Sequence, residues 1–352
     1  MKINQNILYL TSPGTVVSRR RLALYIKDEE NNTMTIPVHT LKSICVFGQI
    51  RITPSVLYLC LKNQVSVHFH TRNSFFLGQV IGHNDTRYLV RKSQYAKSDD
   101  PQAARDLAIL FVLGKLQNSR INLLRARRES ESEEIKYKLT KGIDALASLI
   151  HLLKKEIETV LEVSSVRESL DPVRGLEGRA ALIYFGCFTL MLKRQVNDFA
   201  FHTRTRRPPR DYINCLLSFL YALLRNECLT ALSVAGIDPY VGWLHATRAN
   251  KPAGALDLME EFRPIADRLA ITLINREQIK PNHFKVTDGG AVELTDPGRK
   301  TIIKGWQKRK QSMIKHELFK EKIYIDHLFI VQARLLSRFL RGEIPHYVPF
   351  LL

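Results

Sequence analysis

Ser98-Asp99-Asp100-Pro101 is where the chain changes character. Asp100 before Pro101 reads as the start of a helix. Its carboxylate can accept from first-turn N–H groups, and proline's missing donor costs nothing at the first helical position. Downstream, Leu107, Leu110, Phe111, Gly114 and Leu116 recur on one helical face, the segment 120–138 is densely charged, and the composition stays helical almost to the C-terminus. Upstream, the runs 6–11, 15–18, 22–26, 34–38 and 43–47 are short and rich in β-branched or aromatic residues. Turn formers such as Ser12-Pro13-Gly14 and the stretch 28–32 separate them. One helix is predicted over 54–62, followed by strands over 65–70 and 75–81. The fold class is therefore α+β, with a small strand-rich N-terminal domain over 1–95 and a larger all-helical domain over 96–352. Within the second, the helical pattern predicts breaks at Asp171-Pro172, Arg207-Pro208-Pro209 and Gly236-Ile237-Asp238-Pro239, and a hairpin over 286–298 around Asp288-Gly289-Gly290.

Lys and Arg number 53 against 34 Asp and Glu, a net charge of +19 over 352 residues. Such a field draws polyanions. The five cysteines, Cys45, Cys60, Cys187, Cys215 and Cys228, form no CxxC pair or zinc-ribbon spacing, so buried free thiols in a reducing compartment are expected. The first twenty residues carry no signal-peptide pattern, and no uninterrupted apolar run reaches the roughly 18 residues of a membrane span. A soluble, cytoplasmic protein with no membrane partner is expected.

The basic residues fall in clusters. Arg19-Arg20-Arg21 is one, and Arg204, Arg206, Arg207 and Arg210 are a second. Arg299-Lys300, Lys304, Lys308-Arg309-Lys310 and Lys315 form a third, around Trp306. Each could be a plain solvated face. As DNA contacts, Arg204, Arg206, Arg207, Arg210, Lys308, Arg309 and Lys310 would neutralise phosphates without reading base sequence.

Chemistry concentrates elsewhere. Asp238-Pro239-Tyr240-Val241-Gly242-Trp243-Leu244-His245 is followed by Leu256-Asp257-Leu258-Met259-Glu260-Glu261-Phe262-Arg263-Pro264. Asp257, Glu260 and Glu261 are spaced to share one side of a helix, opposite a stripe of Leu258, Phe262, Ile265, Leu269 and Leu273. They form either a solvated acidic edge or a cluster relieved by a cation. Pro264 should kink that helix. Upstream, Glu177 stands between Gly175 and Gly178 at the head of an apolar stretch, either as a helix-terminal carboxylate or as a ligand. His245 taken alone is more often a turn or core histidine than a ligand, and no HExxH pattern surrounds it. One imidazole with carboxylates favours Mg²⁺ or Mn²⁺ over structural zinc. Such a metal on a basic protein suits phosphodiester chemistry.

Four segments in order resemble a known family: 174–181 around Glu177, Pro208-Pro209-Arg210-Asp211-Tyr212-Ile213-Asn214, 235–245 ending at His245, and 257–264. The chain is similar to the CRISPR-associated adaptation integrase, the metal-dependent nuclease of spacer acquisition, over essentially its whole length. The resemblance implies that Glu177, His245 and Glu260 are the metal ligands, with Asp257 a further acid near the metal. Glu260 stands where some members carry aspartate. Tyr184 and Asn214 lie in matched segments and receive no catalytic role. A homodimer through the β domains is also implied. So is a heterohexamer with a small companion adaptation protein, holding double-stranded DNA (protospacer and CRISPR repeat) for attack by 3′-hydroxyl ends. The pattern is closest to a type I-C-like system. Two other readings stay open: a non-catalytic basic nucleic-acid-binding scaffold, and a relative with the same site that serves a mobile element.

Overall fold

The computed structural model describes the chain except for residues 1, 5, 6, 42, 72–75, 83–86, 158, 160–164 and 206–207. The N-terminal region holds strands β1 (Lys2–Asn4), β2 (Ile7–Leu10), β3 (Val16–Arg20), β4 (Ala23–Lys27), β5 (Thr33–Pro37), β6 (Ser43–Phe47) and β7 (Arg51–Ile52). Helix α1 (Pro54–Lys62) and strands β8 (Ser66–His70) and β9 (Phe76–Val80) complete it. Two sheets form, in the orders β1-β2-β6-β8-β9 and β5-β4-β3-β7. The β2/β6 and β6/β8 pairs are parallel, and the β1/β2 and β8/β9 pairs antiparallel.

Strand alternation explains how this region meets the rest. On β2 and β6, Leu8, Leu10, Ile44 and Val46 face a core shared with Val17, Leu24 and Ile26 of the second sheet and Val56 and Leu59 of α1. Ile7 and Cys45 point the other way, into the core of the helical region. The parallel strands are thus covered on both faces, as their nearly unbroken apolar sequences require. His70 on β8 also hydrogen-bonds Thr230 of the helical region at 3.1 Å.

The helices are α2 (Arg87–Asp99), α3 (Pro101–Glu129), α4 (Glu133–Ile157), α5 (Val166–Gly186), α6 (Tyr212–Ala235), α7 (Ala253–Glu260), α8 (Arg263–Asn275), α9 (Asp296–Lys310) and α10 (Ile325–Leu340). Hairpins β10/β11 (Phe284–Val286, Val292–Leu294) and β12/β13 (Met313–Lys315, Lys322–Tyr324) flank α9. The Asp100 carboxylate accepts from the Ala103 N–H at 2.6 Å and Pro101 opens α3, as the sequence predicts. Gly236, at φ +83°, closes α6 in the left-handed conformation.

Two expectations are corrected. Asp171-Pro172 does not break the chain: α5 runs through it, started by a Ser165 cap on the Glu168 N–H. Pro172 is on the solvent side, where the carbonyl it leaves unpaired can meet water. Pro264 does not kink a helix either. The chain breaks at Glu261-Phe262, and Pro264 sits in the first turn of α8, where its lost donor is harmless. By length and composition α6 matches a membrane span, but 67% of that window is buried inside the protein. Arg225 and Glu227 interrupt its apolar run in the sequence. All five cysteines are free and buried.

Candidate active site

The short helix α7 organises the site. Asp257 is wholly buried and its carboxylate gathers the preceding loop. Oδ2 accepts from the Trp243 and Leu244 N–H groups at 2.5 and 3.0 Å, and Oδ1 accepts from the His245 N–H at 3.0 Å. Gly242 is required here, because a Cβ would come within 2.6 Å of Asp257 Oδ2. Oδ1 also lies 2.7 Å from His245 Nδ1. An ionised carboxylate can only accept, so Nδ1 carries the proton and the Nε2 lone pair is free. Nε2 lies 3.9 Å from Glu260 Oε1, one helical turn along α7.

Glu260 is almost fully buried, at 3% exposure, and faces two cations. The Arg263 Nε–H donates to Oε1 at 2.9 Å. Lys115, from the middle of α3, reaches Oε2 at 2.8 Å and also contacts Glu177 Oε1 on α5. Burial opposes ionisation of Glu260, but Arg263 and Lys115 outweigh it and hold the carboxyl well below its usual range. Burial likewise opposes the charge on Lys115, and Glu260 and Glu177 reverse the effect, so the ammonium is held above the ordinary lysine value.

Glu177, His245, Glu260 and Asp257 therefore lie in one cluster, although they span three segments of chain. Glu177 is twelve residues past the cap of α5, not at a helix terminus, which removes the capping alternative. The solvated acidic edge fails as well, since Asp257, Glu260 and Glu261 are all buried. A groove of about 670 Å³ opens over His245, lined by Arg167, Arg174, Arg248 and Lys251 among others. The Arg174 Nη2–H donates to the Leu244 carbonyl at 2.9 Å, tying α5 to the histidine loop.

The family described as CRISPR associated protein Cas1 matches residues 8–308. The chain belongs to the Cas1 family. CRISPR-associated endonuclease Cas1 1 of Chlorobaculum tepidum is 38% identical over 351 residues, 99% of each protein. Among solved structures, one from a partial Cas6-RT-Cas1–Cas2 complex superposes with a TM-score of 0.75 at 25% identity, covering 97% of both chains. A CAS1 protein from Thermotoga maritima gives 0.70 at 23% identity, again over 97% of both, and shares the β-then-α fold. Family membership makes this chain a CRISPR-associated DNA endonuclease and integrase that serves spacer integration.

Within this Cas1-family site, sequence reasoning misplaced some residues and missed others. Glu261 shares a face with neither Asp257 nor Glu260. Its carboxylate turns toward the C-terminal segment and accepts from Tyr347 Oη at 2.5 Å, the Phe350 N–H at 2.7 Å and Gln332 Nε2 at 3.0 Å. Arg204 is no free phosphate contact: it binds Asn214 Oδ1 at 2.7 Å and Ser218 Oγ at 3.0 Å, and lies over the Tyr221 ring. Lys310 is buried and paired with Glu227 Oε1 at 2.5 Å. Both turn inward because buried acceptors on α6 capture them. Arg210 and Lys308 are exposed, Arg309 is half-buried beside Ser312, and Arg206 and Arg207 lie outside the described residues. Lys115 went unnoticed. Its only sequence signal is a single cation ending the apolar run from Leu107 to Gly114.

Proposed function

We propose that the chain is a metal-dependent DNA integrase that inserts short DNA fragments into a CRISPR array. Glu177, His245 and Glu260 would hold Mg²⁺ or Mn²⁺. The observation that supports this reading is the run of contacts linking those three side chains, from α5, a loop and α7: His245 Nε2 lies 3.9 Å from Glu260 Oε1, and the Lys115 ammonium touches both Glu260 and Glu177. Among the described residues no three His, Cys, Asp or Glu side chains form a ready-made metal cluster. The donors nevertheless suit a hard dication: two carboxylates, one of them with a buried Oε2 met by the mobile-stemmed Lys115 ammonium, and an imidazole whose proton is fixed on the far nitrogen. When bound, such an ion polarises a phosphate and stabilises the oxygens that enter and leave phosphorus.

The chain's own residues supply the rest. Asp257 fixes the His245 tautomer and ring, and Arg263 keeps Glu260 ionised in a buried setting. Arg167, Arg174, Arg248 and Lys251 give the groove a positive lining for a DNA backbone. Gly175 and Gly178 leave open space on either side of Glu177, so a phosphate chain can approach. In the reaction the 3′-oxygen of the incoming strand bonds to phosphorus, and the bond from phosphorus to the 3′-oxygen of the array strand breaks. The incoming 3′-hydroxyl gives up its proton as it attacks, and the departing oxygen takes one up. One phosphodiester replaces another, so no external energy source is needed.

The proposal extends to assembly and setting. Residues 1–95 would form the dimerisation domain and 96–352 the catalytic domain. The partners would be protospacer and repeat DNA, and a small companion protein like the Cas2 named in the solved neighbour's complex, in a heterohexamer. The setting would be a cytoplasmic, type I-C-like system, an assignment resting on sequence pattern alone that genomic neighbours test. The scaffold alternative loses its support because Glu260 and Asp257 are not stabilising helix ends at the surface. Strand transfer of a labelled duplex into a repeat-bearing plasmid, with the companion protein added, tests the reading. Glu177→Ala and His245→Ala should abolish product while the protein stays folded and binds duplex DNA; full activity in either rejects the ligand set.

A further inference from the structure

Lys115 and Arg263 are both cations on Glu260, but they are held differently. Arg263 is buried, its guanidinium lies 4.6 Å from the centre of the Tyr221 ring, and Tyr221 is itself anchored by donating to Asp267 Oδ1 at 2.6 Å. A planar, stacked, hydrogen-bonded guanidinium has nowhere to go. Lys115 contacts the cluster through one ammonium, 2.8 Å from Glu260 Oε2, at the end of a flexible four-carbon stem with no ring stacked against it among the described residues. It keeps 13% exposure, whereas Glu260 keeps 3%.

Charge balance then separates two states. With Lys115 in place, its ammonium sits between the same two carboxylates that a dication needs. An ammonium and a dication a few ångströms apart repel strongly in a site of low polarisability. If Lys115 leaves and a dication takes its place, the three carboxylates Glu177, Glu260 and Asp257 are matched by that ion and Arg263.

We infer that Lys115 is a built-in counter-cation, which holds Glu177 and Glu260 together before the metal arrives and must swing out for it to bind. The inference rests on the metal-site reading above and assigns Lys115 a positioning role. It keeps two like charges from splaying α5 away from α7. It also lowers the apparent metal affinity, because only the fraction of molecules with the ammonium displaced can accept an ion.

The test measures Mn²⁺ affinity of the full-length protein without DNA, from the paramagnetic resonance signal of free Mn²⁺. Lys115→Gln and Lys115→Met should bind about tenfold more tightly than the wild type, as expected if about one molecule in ten is metal-ready. Lys115→Arg, which retains a competing cation, should bind no more tightly than the wild type. Unchanged or weaker binding in both neutral variants overturns the inference. Glu177→Gln and His245→Ala serve as controls. If they retain Mn²⁺ as well as the wild type does, the metal-site reading itself fails; if they lose it while the Lys115 variants are unchanged, only the counter-cation role fails. A measurement on the wild type covers misfolding of the variants. Acylation of Lys115, read by peptide mass spectrometry, should rise several-fold when Mg²⁺ is added, and a fall or no change would count against displacement.

Discussion

Glu260 and Glu261 are adjacent, both buried, and live in opposite surroundings. Glu260 faces Arg263 and Lys115, and these hold it ionised against the cost of burial. Glu261 faces Tyr347, Gln332 and the Phe350 N–H, neutral donors that fail to offset burial, and its carboxyl is pushed up to about 8. A single step of chain at the end of α7 sends one carboxylate to the chemical cluster and the other to a structural joint. That joint is well pinned: Asn118 Nδ2 donates to the Glu261 and Phe350 carbonyls at 2.8 and 2.9 Å, and Asn118 Oδ1 accepts from the Leu352 N–H at 2.7 Å. Gly114, one turn earlier on α3, lets the helix approach Glu261 and Pro349, whose side-chain carbons would lie 3.0 Å from an added Cβ. A buried acid is therefore informative about function only once the charge of its neighbours is known.

The largest expected effects fall on opposite sides of that divide. Glu177→Ala should reduce strand transfer by at least about 10³-fold, the scale of losing a group that stabilises the transition state, with little change in thermal midpoint. Glu261→Ala should do the reverse. It strands the Tyr347 hydroxyl and the Phe350 N–H in the interior, at a cost of about 2 kcal/mol or more in denaturant unfolding, and its residual activity should follow the folded fraction. If Glu261→Ala stays stable but is inactive, the division between cluster and joint collapses.

Asp257→Asn should weaken Mn²⁺ binding by about 10–100-fold, as expected for loss of the group that orients a ligating histidine. Calorimetric titration checks this, and wild-type affinity would show that the Asp257–His245 contact has no bearing on the metal.

The pH dependence sharpens the contrast further. A carboxyl whose folded pKa is raised binds more protons folded than unfolded, so stability falls as pH rises across that window. For Glu261 the window runs from its ordinary 4.5 to about 8. Glu261→Gln should flatten this part of the stability profile, and an unaltered slope would remove Glu261 as its source. Glu260 has the opposite sign: its contribution is present at neutral pH and is lost as pH falls below the ordinary carboxylate range.

The smallest effect concerns DNA affinity. Arg248→Ala, on the groove beside His245, should reduce the slope of log affinity against log salt by about 0.9 for one phosphate contact. Lys310→Ala should leave the slope alone and lower stability, because Lys310 is spent on Glu227. Equal slopes for Arg248→Ala and the wild type would exclude that arginine from the DNA path.

Much of the frame was legible in the sequence because it depends on local spacing. The Asp100-Pro101 start, α1, β6, the Gly236 helix end and the hairpin near Gly290 all follow from short-range turn and capping chemistry. The grouping of Glu177, His245, Asp257 and Glu260 was legible through motif order, not through periodicity. Pro172 and Pro264 misled because a proline's effect depends on whether its side of the helix meets water and on where the helix begins. Arg204 and Lys310 misled because a charge run does not show which members turn inward toward Asn214 or Glu227.

The sequence by itself determined the α+β class, the basic character and the side chains able to do the chemistry, since composition and residue type are local properties. Only the tertiary structure decided that Glu260 meets cations while Glu261 meets neutral donors, and that Lys115, 62 residues from Glu177, stands between the two glutamates. Helix packing brings those groups together, and the ionisation of a buried carboxylate is set by what is packed against it.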